Sequence, residues 1–555
     1  MLLGIKKDRR VKVKARFRDS MNWLHTWAGL VVGWVLFAVF LTGTLAYFQH
    51  EISRWMQPEL PAAASPEQAV AQAQQYLQQH AAGSDRWTIV LPGDRGFTTD
   101  LFWRPAPVAE TASATSVTQP EKRPTEKRPA NRRFERASLA GDGTAATARE
   151  TRGGQFFYRF HFDLYHLPVV WARWIVGVCS MLMLLALFTG IVIHKKIFKD
   201  FFTLQWRKGH KSWLDGHTLT SVLAVPFHLM ITYTGLITLM FMYMALAVSA
   251  NFPSSQQFFA QLQGDAPPVV ASGQPVALVP LEQIFRQAQT ELQGADISLI
   301  TVHQPGDAAA VIELREASTN SLGSGGRELR YAGSSGLLLN AATAAPYPEQ
   351  IRHLLINLHS GRFADPLLRW LYFLSGLAGT AMIGSGLILW SARRASQPGA
   401  AHIGHKLVHC LNGGTVLGLP LAVACFFWAN RLLPLQWPNR PEWEIHGFFA
   451  GWLLMLLFSL LRNPKLLWRD GLRLLAAVYL CLPLLNFFSS DRHLGYSLWH
   501  ADWVFAGIDL VFLVTGLCCL QTARVLQRRL ASGSQSAIGG AATANLAETA
   551  GASNR

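Results

Sequence analysis

Cysteine is scarce and without pattern in this 555-residue chain. The six cysteines, Cys179, Cys410, Cys425, Cys481, Cys518 and Cys519, all fall in or beside apolar runs. No pair has the CxxC spacing of a zinc site, and no CxxCH is present to attach a haem covalently. Disulfides are therefore not expected, and any haem would be held non-covalently. A dinucleotide fingerprint is also missing. Gly323, Gly325 and Gly326 lie in a polar loop, not at a strand-to-helix turn. Carboxylates are almost absent from the apolar runs; Asp509 is the exception, with Asp502 at an edge. That scarcity weighs against a buried carboxylate metal site and against a transport pathway.

What is present is apolar. Half of the residues are hydrophobic, 19 are Trp and 32 are Phe. Runs of 18 or more apolar residues recur, the length that crosses a hydrocarbon core of about 30 Å. A soluble enzyme and a single small domain are both excluded. The net charge of +16 would suit a nucleic-acid partner if it formed one patch. Instead the basic residues sit at the ends of the apolar runs, so membrane lipid is the expected partner and nucleic acid is not.

Eight spans are predicted, near 23–48, 169–194, 217–247, 367–391, 407–428, 444–461, 471–489 and 502–523. The first run is too long for a signal-peptide core and lacks a clean cleavage site, so it reads as a retained anchor. Residues 1–22 carry eight Lys and Arg, and the loop 195–216 carries six. The positive-inside rule then puts both termini in the cytoplasm and the long loops 49–168 and 248–366 on the other side, the periplasm for an inner-membrane protein. Those loops repeat. Pro66-Glu67-Gln68-Ala69-Val70 leads to Trp87-Thr88-Ile89-Val90-Leu91-Pro92, and Pro280-Leu281-Glu282-Gln283-Ile284 leads to Ile300-Thr301-Val302-His303-Gln304-Pro305. Each reads as an amphipathic helix followed by an alternating strand, which predicts two small α+β modules. Residues 105–153 and the tail 530–555 have the composition of disordered segments.

Eighteen histidines cluster at span edges. His25, His194 and His217 fall near the cytoplasmic edge, His166 and His359 near the outer edge, and His228 inside the third span. Ionisable groups in spans are functional candidates by default. His217 and His228 are eleven residues apart, which on one straight helix returns them to the same face, about 16 Å apart. That spacing suits one ligand for each of two stacked cofactors, and imidazole is the usual axial ligand of b-type haem. The inner haem would draw on His25, His194 and His217, the outer on His166, His228 and His359. Six candidates for four positions remain open on spacing alone. Interfacial histidines, or Zn or Fe held by the same side chains, are the competing readings. His402, His405 and His409 form a further stripe, with His405 and His409 an additional candidate metal site beside an interfacial reading. His446, His493 and His500 carry the same ambiguity. Gly29, Gly33, Gly376, Gly379, Gly384 and Gly386 permit close approach of helices or of a flat macrocycle. Trp171, Trp174, Trp370 and Tyr372 read as an aromatic belt or as the lining of an outer pocket.

Several runs resemble the PepSY-associated transmembrane proteins, the iron-regulated membrane protein group. They are Trp23-Leu24-His25-Thr26-Trp27-Ala28-Gly29-Leu30, Leu164-Tyr165-His166-Leu167-Pro168, Gly190-Ile191-Val192-Ile193-His194 and Asp215-Gly216-His217. Asn357-Leu358-His359-Ser360-Gly361 and Ser385-Gly386-Leu387-Ile388-Leu389-Trp390 complete the set. The resemblance covers roughly residues 20–395. It implies a haem-binding four-helix core, periplasmic PepSY-like modules and, as in some members, reduction of ferric siderophores by two b-type haems. The run Ala429-Asn430-Arg431-Leu432-Leu433-Pro434 resembles members extended by further helices. The expected protein is thus mainly α, with about eight transmembrane helices. Its expected activity is that of an inner-membrane di-haem reductase, taking electrons from a cytoplasmic or quinol donor and passing them to a ferric siderophore or other ferric chelate. A non-enzymatic PepSY sensor or assembly protein, and an iron or siderophore transporter, are the alternatives.

Overall fold

The computed structural model describes residues 3–61, 63–93, 95–104, 134–145, 148–194, 210–263, 269–317, 322, 326–340, 347–394 and 402–552. The helices used below are, in chain order, α1 (Leu3–Ala46), α2 (Gln49–Met56), α3 (Pro66–His80), α4 (Gly153–Asp163), α5 (Val169–Ile193), α6 (His210–Leu223), α7 (Val225–Thr238), α8 (Leu281–Glu291), α9 (Tyr347–Ser360), α10 (Pro366–Arg394), α11 (Ile403–Val416), α12 (Gly418–Leu432), α13 (Arg440–Leu461), α14 (Pro464–Ser489) and α15 (Trp503–Ala552). Among the described residues, seven stretches are long and apolar enough to cross a membrane: Phe17–Ala46, Val169–Ile193, Pro366–Arg394, Ile403–Leu432, Arg440–Leu461, Leu466–Ser489 and Trp503–Ala531. The protein is a mainly helical, multi-pass membrane protein.

The third expected span, 217–247, is not one straight helix. Leu214–Leu223 and Val225–Thr238 meet at 69°, and the pair counts as an eighth span only if taken together. Pro226 accounts for the break. Its ring excludes a continuing helix on its N-terminal side but is tolerated in a first turn, so one helix stops and a new one begins at Val225. After Thr238 the chain continues as short pieces, Met240–Tyr243 and Ala245–Asn251. The same-face relation of His217 and His228 assumed a continuous helix and does not hold.

The chain divides into two compact units, one of residues 1–58, 149–236 and 369–555, the other of 59–148 and 237–368. In the second unit the repeat is visible in three dimensions. Among the described residues, seven antiparallel strands form one sheet in the order β3-β2-β1-β4-β5-β6-β7, from β1 (Arg86–Val90), β2 (Thr99–Arg104), β3 (Glu135–Leu139), β4 (Ile297–His303), β5 (Val311–Glu316), β6 (Glu328–Ala332) and β7 (Leu338–Asn340). The first strands of the two repeats pair with each other, Trp87 opposite Val302 and Ile89 opposite Ile300. The expected two modules are therefore fused into one sheet, with no unpaired edge between them. Helices α3 and α8 cover it with Ala69, Val70, Ala73, Leu77, Leu281, Ile284, Phe285 and Ala288, all buried. Ser65 starts α3 with a capping box to Gln68, which satisfies otherwise orphaned N–H groups.

Two stretches read as disordered are corrected. Strand β3 falls within 105–153 and pairs with β2 in regular register, Leu101 opposite Ala137; residues 105–133 lie outside the described residues. Helix α15 runs on to Ala552. Its tail is alanine-rich, and extending an existing helix adds a hydrogen bond per residue without a new nucleation cost.

Candidate functional site

In the first unit, histidine rings are docked on carbonyl–glycine steps of neighbouring helices. His25 of α1 donates from Nδ1 to the Ala186 carbonyl of α5 at 2.9 Å, with Thr189 Oγ1 at 3.3 Å. A Cβ on Gly190 would lie 3.3 Å from the ring. His217 of α6 repeats this on α10: Nδ1 meets the Met382 carbonyl at 2.9 Å and Ser385 Oγ at 3.3 Å, and a Cβ on Gly386 would lie 3.2 Å from the ring. Carbonyl, hydroxyl and glycine occupy positions i, i+3 and i+4 both times. A carbonyl can only accept, so the Nδ1 facing it must carry the hydrogen; each bond fixes the Nδ1–H tautomer and directs the Nε2 lone pair away from its docking helix. This is how a ligating histidine is normally held from behind. The two ring centres are 6.4 Å apart at 72°. Two imidazoles on opposite sides of one metal, each bonded at about 2.0 Å, would have centres separated by on the order of 6 Å. The pair therefore fits a bis-imidazole metal centre.

A second level repeats the carbonyl–glycine spacing, although His228 faces its carbonyl with Nε2 rather than Nδ1 and Ala378 stands where the inner steps have a hydroxyl. His161 of α4 donates from Nδ1 to the Val39 carbonyl of α1 at 2.7 Å, and a Cβ on Gly43 would lie 2.5 Å from that nitrogen. Burial lowers the His161 pKa, against the opposing effect of the Val39 bond, which keeps the ring neutral. His228 of α7 is fully buried, with Nε2 at 3.4 Å from the Ser375 carbonyl and Nδ1 without a partner among the described residues. A Cβ on Gly379 would lie 3.1 Å from His228 Nε2. The steps are Val39-Thr42-Gly43 and Ser375-Ala378-Gly379, with the same spacing. Phe40 lies within the Val39–Gly43 step of α1, its ring 6.3 Å from that of His228. Both histidines thus reach α1 within residues 39–43.

His161 was not among the sequence candidates, because it precedes the second span in a segment read as loop. The signal was present elsewhere: Thr42-Gly43, Thr189-Gly190, Ser385-Gly386 and Ala378-Gly379 are small-residue–glycine pairs, each inside a span. Of the predicted residues, His25, His194 and His217 come together, since His194 ends α5 and interacts electrostatically with both other rings. His166 is exposed and lies against Phe449, 4.4 Å between ring centres. His359 belongs to the other compact unit, in α9. His405 and His409 lie one turn apart on α11. Among the described residues no group of three or more His, Cys, Asp or Glu is placed to hold a metal ion. Trp171 and Trp174 are exposed, as in an aromatic belt, whereas Tyr372 is buried against Tyr47 and Phe227.

The family model for the PepSY-associated TM region matches residues 22–393. The chain belongs to this family. A protein of Pseudomonas aeruginosa described as uncharacterized is 25% identical over 288 residues, which cover 48% of this chain and 72% of that protein. All four docked histidines fall within the PepSY-associated region, and helices α11 to α15 lie beyond it.

Those later helices grip the PepSY-associated region through α4 and α2. Helix α4 turns His161 towards α1 and its phenylalanines the other way: Phe156 packs on Phe426 and Phe448, and Phe157 on Phe427. Arg152 pairs with Glu442 at 2.8 Å, and Tyr165 donates to the same carboxylate. Burial, then the bond to Glu442, pushes the Tyr165 hydroxyl up to about 12, so it remains a donor. Deeper in, Arg440 and Glu444 form an ion pair at 2.5 Å with both side chains almost wholly buried. Asn430 donates to Glu444 at 2.7 Å. Arg431 lies 3.8 Å over the Trp55 ring, and Asp509 accepts from Trp55 Nε1 and from Asn486, each at 3.0 Å. Asp509, the intramembrane carboxylate singled out in the sequence, is thus an anchor that ties α2 to α15.

Proposed function

We propose that this protein is an inner-membrane electron carrier holding two b-type haems, which reduces a periplasmic ferric siderophore or other ferric chelate. The observation that carries the reading is the paired docking of His25 and His217, with carbonyl-held Nδ1 atoms and rings 6.4 Å apart. His25 and His217 would hold the inner haem, and His161 and His228 the outer. His194 would tune the inner site. Bound there, haem supplies reversible one-electron chemistry of its iron. The chain's own contribution is to present imidazole nitrogens in a fixed tautomer, to clear the helix surface with glycine where a flat ring must approach, and to keep water from the iron with apolar span residues. Reduction releases iron because oxygen chelators hold Fe(II) far less tightly than Fe(III).

The Lys and Arg bias at the N-terminus and at 195–216 supports cytoplasmic termini, so that the chelate is met on the periplasmic side. Pyridine haemochrome analysis of the purified protein tests the haem content directly, and the expected value is close to two per chain. The broken pair α6–α7 favours a second reading, transport, because discontinuous helices line transporter sites. Uptake of a ferric chelate into vesicles without reductant would support it.

A further inference from the structure

Three polar nitrogens at one end of α10 and the start of α11 are buried and have no hydrogen-bond partner among the described residues: Trp390 Nε1, His405 Nδ1 and His409 Nε2. Leaving buried polar groups unpaired is costly, and a native fold rarely concentrates them without a ligand to answer them. They are close together. The rings of Trp390 and His405 are 5.8 Å apart, and His409 lies one helical turn from His405. The neighbouring Asn412 shows no such deficit. Asn412 accepts from Trp34 at 2.9 Å and donates to the Leu387 carbonyl and Ser391 Oγ at 2.8 and 2.7 Å.

The surroundings restrict the ligand. The Arg394 guanidinium lies 4.0 Å over the Trp390 ring, and Trp27 meets that ring edge-on at 6.3 Å. An aromatic wall of this kind suits a flat ring. The indole N–H can only donate, so the ligand needs an acceptor oxygen; a neutral imidazole offers one donor and one acceptor and can meet either a carbonyl or a hydroxyl. Ile403 and Leu407 on α11 are exposed, which leaves an apolar flank open to lipid. The cluster also adjoins the inner histidine pair. Trp27 follows His25 by two residues, and Trp390 follows Gly386, the glycine against His217, by one turn.

We propose that Trp390, His405 and His409 form a binding site for the head of a membrane-soluble quinone or hydroquinone. The proposal rests on the electron-carrier reading above, to which it adds the class of donor. It also gives α11, which lies outside the family region, a role in completing the site.

Calorimetric titration of the full-length protein in detergent tests this with two probes, decylubiquinone for benzoquinones and menadione for naphthoquinones. Saturable binding of one of them at one site per chain is expected, and the probe that binds identifies the quinone type. Trp390→Phe keeps the ring and removes only the N–H, and His409→Phe removes the imidazole; each is expected to weaken binding by about tenfold or more while haem content and the dithionite-reduced spectrum stay unchanged. Failure of both quinones to bind a haem-loaded protein that dithionite reduces would overturn the site and leave the haem reading standing. Binding in the Trp390→Phe/His405→Phe/His409→Phe variant within twofold of wild type would overturn it as well. A colourless protein that binds quinone and loses it in these variants would keep the site and remove the electron-carrier reading.

Discussion

The rings of His25 and His217 lie 6.4 Å apart at 72°, each held from behind by a carbonyl of a different helix. His25 comes from the first span and His217 from the break-bearing third, and each docks on a neighbour with identical i, i+3, i+4 spacing. Direct ring-to-ring packing alone would explain the contact angle, but it would not require both Nδ1 atoms to be tied to carbonyls.

Histidine replacement separates the two levels. His25→Ala or His217→Ala is expected to halve the haem content, leaving about one per chain. His161→Ala or His228→Ala is expected to remove the other. His166→Ala should keep both haems, because His166 is exposed against Phe449. The readout is pyridine haemochrome on monodisperse protein, and loss of a haem in His166→Ala would contradict the ligand assignment.

The glycine steps give a finer test. A methyl on Gly43 would sit 2.5 Å from His161 Nδ1, whereas one on Gly29 would meet nothing within 4 Å. Gly43→Ala is therefore expected to displace the His161 ring and alter the low-spin electron paramagnetic resonance signal of one haem. Gly29→Ala should leave both signals unaltered and stabilise α1 by up to about 1 kcal/mol through helix propensity. Equal spectra for the two variants would remove the docking role of Gly43.

Much of this was legible in the sequence, and the failures have physical causes. The spans and the α+β repeat follow from hydrophobic period and length, which local sequence determines. The grouping of His25, His194 and His217 follows from span edges. What failed depended on backbone direction. Pro226 bends the third span, so counting 100° per residue from His217 to His228 crosses a break. His161 was missed because α4 is too short and too polar to register as a span, although its ring is buried against α1. The fusion of the repeats through β1 and β4 depends on pairing over some two hundred residues of chain, which no local pattern encodes.

The buried ion pair beyond the family region should behave as a unit. Arg440 and Glu444 are almost wholly buried. Glu444→Gln leaves the Arg440 charge uncompensated and is expected to cost about 3–5 kcal/mol, read as a loss of thermal stability in detergent. The double variant Arg440→Met/Glu444→Leu should recover most of that loss. A double variant as unstable as the single would show that the hydrogen bonds to Asn430 and Thr151, rather than charge compensation, govern this region.

The central claim is that the docked histidines hold two haems that carry electrons across the membrane. Absorption spectra of the purified full-length protein, oxidised and dithionite-reduced, test it most directly. Sharp reduced bands of low-spin b-type haem, at close to two per chain and reoxidised by a ferric siderophore, are the expected result. A folded protein that stays colourless after expression with added haem would contradict it, and His25, His161, His217 and His228 would then be structural residues that join the spans.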